Sequence, residues 1–138
     1  MTAFSHGKKA SFKLDNSGGA LTDATTYLTD VSMPQSVDTA EASTLGMNSK
    51  AHVVGLEGGT ISISGLFDPT IDAHLTGIKG QDATVSFEYG PQGTTAGLRK
   101  YTGEMILTAY DPSGSISGVS KFTASFITSG DITPDVFA

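Results

Sequence analysis

Apolar and polar residues alternate along several short stretches of this chain, and each such stretch predicts a half-buried β-strand. The clearest one runs from Thr60 to Phe67, where Ile61, Ile63 and Phe67 share one face and hydroxyl residues share the other. Similar alternation predicts strands over residues 8–14, 25–33, 84–89, 99–110 and 119–127, and a short extended segment over 36–40. The pattern therefore predicts about seven strands.

One segment has helical spacing instead. Asp68 can cap the free amides of a first turn, Pro69 fits that turn, and Gly80 can end the helix. Between them, one apolar stripe recurs at i, i+4 and i+7: Ile71, Leu75 and Ile78. We predict a helix over Pro69–Lys79. Together, the elements predict one mainly β domain over residues 1–138, an antiparallel β-sandwich or barrel of about seven strands with one flanking α-helix.

Residues 42–59 follow neither pattern. The segment is too irregular for a strand and too rich in glycine for a helix, and it predicts a long loop. Five apolar residues lie in it: Leu45, Met47, Val53, Val54 and Leu56. Disordered segments are poor in apolar residues, so we expect a partner to cover this loop. The two ends of the chain, residues 1–7 and 128–138, are expected to form extended arms.

Composition and charge exclude several classes of function. The chain has 138 residues, no cysteine and no tryptophan, and a net charge of −6 from 14 acidic and 8 basic residues. Disulfides and thiolate metal sites are therefore excluded, and the basic surface expected of a nucleic-acid-binding protein is missing. No apolar run approaches the roughly 20 residues of a membrane span. The N-terminal sequence MTAFSHGKKASF lacks the apolar stretch of a secretion signal, so we expect synthesis and assembly in a cytosol and no membrane partner.

The motifs of common catalytic sites are absent. In Gly114–Gly118 an isoleucine stands where a nucleophile elbow needs serine, and no P-loop, dinucleotide-binding, zinc-protease or EF-hand motif is present. The histidines lie in three unrelated predicted elements: His6, His52 and His74. We therefore expect no metal and no cofactor. Glu88 and Glu104 could pair across neighbouring strands as a glycosidase-like acid and base, although charged residues are common on polar strand faces. We expect a protein that is not an enzyme.

The segment Val31–Asp68 resembles the major tail tube proteins of long-tailed bacteriophages. Its SKAHVVGLEGGT run, Ser49–Thr60, matches the family pattern S-K-x-x-V-x-G-L-x-x-G-T. The following ISISGLFD, Ile61–Asp68, matches a strand of the type x-S-I-S-G-x-F-D that leads into a short helix. The order of elements is similar over most of the chain. No position of the family pattern marks catalysis.

The resemblance implies a structural virion protein. Six copies would form a ring whose inner sheets join into one barrel, and rings would stack into a tube through which DNA passes without specific binding. The loop 42–59 would reach the adjacent ring, where its five apolar residues would be covered, and the terminal arms would lie on neighbouring subunits. The polar strand faces would line the lumen through Thr60, Ser62, Ser64, Glu88 and Glu104. Partners would be further copies of the chain and the tape measure, terminator and distal tail proteins. The protein would be located in the phage tail, which would be assembled in the cytoplasm of a bacterial host.

Three other functions remain open at this point. The chain could be another tail or injection-machine component, such as a tail terminator or the inner tube of a contractile system. It could be a small ligand-binding β-sandwich, which would need an exposed aromatic platform and offers Tyr101 and Tyr110 as candidates. It could also be a hydrolase that uses Glu88 and Glu104.

Overall fold

The computed structural model describes residues 6–138, in which nine strands form one open antiparallel sheet with a single α-helix. The strands are β1 (Ser11–Asp15), β2 (Leu21–Asp23), β3 (Leu28–Ser32), β4 (Gln35–Glu41), β5 (His52–Leu66), β6 (Val85–Gly90), β7 (Arg99–Ser113), β8 (Lys121–Thr128) and β9 (Thr133–Val136). The helix α1 is Pro69–Ile78, and short 3-10 helices occupy Gly7–Lys9 and Thr25–Tyr27. The prediction of a mainly β, antiparallel fold with one helix is confirmed, in a sheet that does not close into a barrel.

Two long strands organise the sheet. Its main path runs β2-β1-β6-β7-β8-β5-β3, while β4 pairs with the first half of β5 and β9 with the start of β7. Strands β5 and β7 each have 15 residues, and the first part of each pairs with a different set of strands than the second part. The second half of β5 lies between β3 and β8, so that half is fixed on both sides.

The core lies between the helix and one face of the sheet. The predicted alternation is correct at most positions: Ile61, Ile63 and Met105 are buried, and so are the aromatic residues Phe12, Phe87, Phe122 and Phe126. Against them pack the three residues of the predicted helical stripe, Ile71, Leu75 and Ile78. Phe67, predicted on the buried face, lies beyond the end of β5 and is exposed.

The helix begins and ends much as its sequence predicts. One Asp68 carboxylate oxygen accepts a hydrogen bond from the Thr70 amide at 2.8 Å, and Pro69 occupies the first turn. The helix ends at Ile78, one residue before the prediction, because Lys79 has an extended backbone. Gly80 then adopts a φ of +78°, a conformation that favours glycine and turns the chain away.

Residues 25–33 do not form the single strand that their alternation predicts. A short strand, β2, precedes a 3-10 turn over Thr25–Tyr27, and β3 begins only at Leu28. Local side-chain bonds hold this turn: the Thr25 amide donates to the Asp23 carboxylate at 2.9 Å, and the Phe12 amide donates to the Thr25 hydroxyl at 3.0 Å. Such bonds offer the backbone an alternative to a sheet ladder.

The long loop predicted over 42–59 is wrong for residues 52–59, which form the first half of β5. They pair with β4, and only residues 42–51 connect the two strands. Alternation reveals a strand when one of its faces is buried, whereas these two strands are exposed on both faces, so their sequence needs no alternation.

The two ends of the chain are held locally where the structure describes them. Of the predicted N-terminal arm, residues 1–5 lie outside the described residues, and His6 accepts a hydrogen bond from the Lys8 amide at 3.1 Å. The predicted C-terminal arm, 128–138, contains β9, which pairs with β7 of the same chain. Beyond it, the Phe137 amide donates to the Leu98 carbonyl at 2.9 Å. Residues 133–137 are therefore attached to their own sheet.

Candidate assembly surfaces

Residues 35–59 form a two-stranded arm that extends from the body of the sheet, here called the β4–β5 arm. Its pairing runs from Gln35 opposite Gly59 to Glu41 opposite His52. Its tip is closed by the Ala42 amide, which donates to the Ala51 carbonyl at 2.8 Å. Nearly every side chain along the arm is exposed to solvent. A two-stranded ribbon of this kind is only marginally stable on its own in water.

A β-bulge places apolar side chains on both faces of the arm. The pairing shifts by one residue between Val37 and Thr39, so that Gly55 and Leu56 together lie opposite one residue of β4. Because paired residues share a face, Val54 lies with Val37 on one side of the arm, and Leu56 lies on the other. Leu56 is 82% exposed and Val54 is 77% exposed. Residues 130–132 lie beside the base of the arm at Gly58 and Gly59, and beyond this base neither face is covered by the described part of its own chain.

All five residues predicted to contact a partner lie on this arm. Val53, Val54 and Leu56 belong to β5, while Leu45 and Met47 lie in the connection at the tip, where the Leu45 side chain is fully exposed. The sequence reasoning missed a sixth, the exposed Val37 on β4. The signal that could have found it is the short extended segment predicted over 36–40, whose pairing with residues 52–59 the sequence does not reveal.

All five residues predicted to line a lumen lie on one face of the sheet. We call it the outer face because it points away from the core of the subunit. Thr60, Ser62 and Ser64 alternate with the buried residues of β5, as Glu88 and Glu104 do on β6 and β7. Strand β8 lies between the two groups and adds its own outward residues, Lys121, Thr123, Ser125 and Ile127. The outer face is therefore rich in hydroxyl groups across four strands.

Both carboxylates predicted to line the lumen are engaged. The Thr84 hydroxyl donates to one Glu104 carboxylate oxygen at 2.8 Å, and the Ser86 hydroxyl donates to the other. Lys100 Nζ lies 3.7 Å from a carboxylate oxygen of Glu88 and 5.0 Å from the centre of the Phe137 ring. These contacts fix both carboxylates and neutralise a lysine on this face.

The margins of the sheet have free backbone groups among the described residues. Strand β3 pairs only with β5, and β2 pairs only with β1. An edge strand presents unpaired N–H and C=O groups that another strand can complete. Two different margins of the same sheet are thus available to neighbouring chains.

Features needed by the other predicted functions are not assembled. Tyr110, one candidate for an aromatic platform, is half-buried, and its hydroxyl donates to the Asp72 carboxylate at 2.7 Å. Tyr101 is also half-buried. Within residues 6–138 no group of three His, Asp or Glu side chains is arranged to hold a metal ion. No helix in that range has the length and apolar character needed to cross a membrane.

A groove of about 510 Å³ lies between the N-terminal segment and β3. Tyr89 lines it, and burial together with the negative charge of nearby Asp30 raises the pKa of the Tyr89 phenol. Glu88 and Glu104 do not line this groove. The two carboxylates proposed for a hydrolase lie instead on neighbouring strands of the outer face, where Glu104 accepts hydrogen bonds from Thr84 and Ser86 and Glu88 pairs with Lys100.

Comparison with known sequences gives no relative: no protein-family model matches the chain, and no curated protein matches it. Comparison with solved structures does give matches. The tail of an empty gene transfer agent particle, refined with C6 symmetry, matches with a TM-score of 0.77 and 18% identity over 94% of this chain and 98% of that one. The tail tube of SPP1 matches with a TM-score of 0.75 and 9% identity over 95% of this chain and 78% of that one.

A third match is more distant. The sheath–tube complex of the extracellular contractile injection system PVC matches with a TM-score of 0.66 and 14% identity over 91% of this chain and 88% of that one. At these identities the matches establish a shared fold. The chain has the fold of subunits found in tails and tubes, over nearly its whole length.

Proposed function

We propose that this chain is the repeating subunit of the tail tube of a phage or phage-like particle, a structural protein without enzymatic activity. Six copies form a ring, and rings stack into a hollow tube. The observation that carries the proposal is the exposed β4–β5 arm, whose apolar side chains lie on both faces. The match of the whole fold to tail and tube structures, one of them with C6 symmetry, supports it.

Stacking is the role of the arm. Fully burying a valine or leucine side chain contributes roughly 1.5–3 kcal/mol, so covering Val54, Leu56 and Leu45 would stabilise a contact between rings. Because the arm is nearly uncovered within its own chain, almost all of this free energy is available to association.

The ring is closed by backbone pairing at the sheet margins. Edge strands β3 and β2 offer hydrogen-bonding groups that a single subunit leaves to water. Joined sheets of six copies would form one continuous barrel without free edges. The outer face then lines the lumen, because the helix and the core occupy the opposite side of the sheet.

A hydroxyl-rich lumen suits the passage of DNA without binding. Lysine and arginine contacts to phosphates dominate the affinity of proteins for DNA. On the outer face, Lys100 is paired with Glu88, and the five proposed lumen residues are neutral or acidic. Two further lysines lie on this face, Lys13 opposite Glu88 and Lys121 at the start of β8. DNA would therefore pass with little attraction. The place of action is the virion, after assembly in the cytoplasm of the bacterial host, together with tape measure, terminator and distal tail proteins.

Electron microscopy of the purified protein tests this function. We expect hollow tubes or stacked rings at high concentration, and no tubes from the variant Val54→Asp/Leu56→Asp. Both side chains are mostly exposed, so the variant should keep the thermal unfolding midpoint of the parent chain. A parent protein that remains monomeric at every concentration, or normal tubes from the variant, would contradict the proposal.

Electron microscopy together with a sheath-binding assay separates the second candidate, a tail terminator or the inner tube of a contractile system. The similarity to the contractile injection system supports the latter, at a TM-score of 0.66 against 0.77 for the gene transfer agent tail. A terminator would give isolated rings that do not stack. The inner tube of a contractile system would bind a sheath protein along its outside.

A further inference from the structure

The end of the sheet farthest from the β4–β5 arm exposes a second group of apolar side chains. It lies where β5 ends and where the turn between β7 and β8 projects. In this turn Ile116 is 109% exposed and Val119 is 61% exposed, and Leu66 beside it is 46% exposed. We call this group the turn surface, and its members are Leu66, Phe67, Ile116, Val119 and Lys121.

Backbone pairing holds the members of the turn surface together. Leu66 lies opposite Lys121 in the pairing of β5 with β8. Immediately beyond, the Phe67 amide donates to the Ser120 carbonyl at 2.9 Å, which places Phe67 beside the residue that follows Val119. The turn itself is closed by the Gly118 amide, which donates to the Ser115 carbonyl at 3.4 Å. Strand pairing therefore brings the turn and the end of β5 to the same place in the subunit.

The turn surface and the arm lie at opposite ends of one strand. Strand β5 starts in the arm at His52 and ends in the turn surface at Leu66. The extended strand between Leu56 and Leu66 is about 33 Å long. A second copy displaced along this direction would bring its arm to the turn surface of the first.

The charges of the two surfaces are complementary. The arm carries three acidic residues, Asp38, Glu41 and Glu57, and one basic residue, Lys50. The turn surface carries Lys121. Of the acids near it, Asp68 is engaged at the start of the helix, and Asp111 lies opposite Thr123 on the neighbouring strand β7. Neither Lys121 nor the acids of the arm belong to an ion pair within residues 6–138, where the ion pair found joins Lys100 to Glu88.

We propose that the turn surface is the site that receives the β4–β5 arm of a second copy of this chain. The inference rests on the proposed tube and names the surface through which one ring accepts the next. The contact is heterologous, because an apolar, acidic arm meets an apolar surface with a lysine. Each copy contributes one arm to a neighbour and receives one arm from another. A heterologous contact that does not close on itself continues as a filament.

Two variants test the two halves of this contact. The arm variant is Val54→Asp/Leu56→Asp, and the turn variant is Ile116→Asp/Val119→Asp. Each alone should fail to stack and raise the protein concentration needed for tube formation by at least about tenfold, since central apolar contacts dominate an interface. An equimolar mixture of the two, purified separately, retains one intact arm and one intact turn surface for each pair. The mixture should give pairs of rings and no longer tubes, counted by electron microscopy.

The outcomes separate this inference from the proposed function. If both the parent chain and the turn variant form tubes of normal length, the proposed role of the turn surface is wrong and the tube function still stands. Absence of tubes from the parent chain would overturn both. If the mixture forms long tubes, or if it forms no pairs of rings, the one-to-one contact of arm and turn surface is contradicted.

Matched controls guard against a general effect of added charge. The variant Ile127→Asp replaces another exposed apolar residue, in the interior strand β8 and away from the arm, the turn surface and the sheet margins, and should form tubes like the parent chain. The variant Lys121→Glu removes no apolar contact and should still raise the concentration needed for tube formation. An unchanged concentration for Lys121→Glu would argue against the charge pairing. Because Ile116 and Val119 are exposed, all variants should retain the circular dichroism spectrum of the parent chain.

Discussion

The Tyr110 side chain joins the sheet to the helix. Its hydroxyl donates a hydrogen bond to the Asp72 carboxylate of α1 at 2.7 Å, and its ring lies 6.2 Å from that of Phe122 in the core. Burial, the hydrogen bond to Asp72 and the negative charge of that carboxylate all raise the pKa of Tyr110 above its usual value of 10.0. A single residue thus couples the position of the helix to the protonation of a phenol.

The variant Tyr110→Phe tests this link. Loss of the hydrogen bond should lower the free energy of unfolding by about 1 kcal/mol at neutral pH. Above pH 10 the unfolded chain releases the phenol proton while the folded chain keeps it, so the contribution of Tyr110 to stability falls as pH rises. The difference between parent and variant in urea unfolding should therefore be constant from pH 7 to 9 and shrink above pH 10. A difference that grows above pH 10 would show that the folded state favours the ionised phenol.

At the scale of elements, the sequence predicts those parts of the fold that are half-buried. The alternation of Ile61 and Ile63 and the stripe of Ile71 and Leu75 reflect a core, and both are found as predicted. The first half of β5 was missed because its side chains face solvent on both sides, and its pairing with β4 depends on backbone bonds that leave no sequence pattern.

The same distinction applies to the candidate site. The apolar residues of the arm could be selected from the sequence because apolar groups without a regular pattern need a partner. The turn surface could not: Ile116 and Val119 are isolated in a glycine- and serine-rich turn, and only the pairing of β5 with β8 brings them beside Leu66 and Phe67.

The junction of β3 with β5 depends on one glycine. A β-carbon at Gly65 would overlap the backbone carbonyl oxygen of Tyr27 and lie 2.9 Å from the Leu28 α-carbon. Both neighbours are backbone atoms and cannot rotate away. Gly65→Ala should therefore lower the free energy of unfolding by about 3 kcal/mol or more, at the upper end for overpacking, and should separate β3 from β5.

A glycine of the same strand provides the control. A β-carbon at Gly58 would meet nothing within 4 Å, so Gly58→Ala should change the free energy of unfolding by less than about 1 kcal/mol. Chemical denaturation measures both values. Hydrogen exchange at the amides of β3 locates the damage, and equal effects of the two substitutions would contradict the close approach at Gly65.

At the scale of the whole molecule, the two faces of the sheet have separate tasks. On the core face, the apolar side chains of the sheet pack against those of the helix, and this packing stabilises each subunit. The outer face carries mainly hydroxyl groups and the engaged carboxylates of Glu88 and Glu104, and we propose that the arm and the margins contact other copies. In the proposed tube, a chain with a net charge of −6 would offer little attraction to DNA in the channel.

Placing lysines on the outer face tests this division. The variant Thr60→Lys/Ser62→Lys adds two positive charges per subunit to the face proposed to line the lumen. The control Thr70→Lys/Ala73→Lys adds the same charges to exposed positions of α1, on the opposite side of the sheet. Tubes of both variants should bind short duplex DNA at low salt, with an affinity that falls steeply as salt is raised, whereas tubes of the parent chain should not bind it.

Nuclease treatment then tells the inside of the tube from the outside. DNA held in the lumen by the lysines introduced on β5 is enclosed by protein and should be digested much more slowly than free duplex, because the enzyme can reach it only from the ends of the tube. DNA bound along the helices of the control lies on the outer wall and should be degraded. Equal digestion in the two variants would mean that the outer face of the sheet does not enclose the channel, and that the hydroxyl rows of β5 and β8 serve another surface of the assembly.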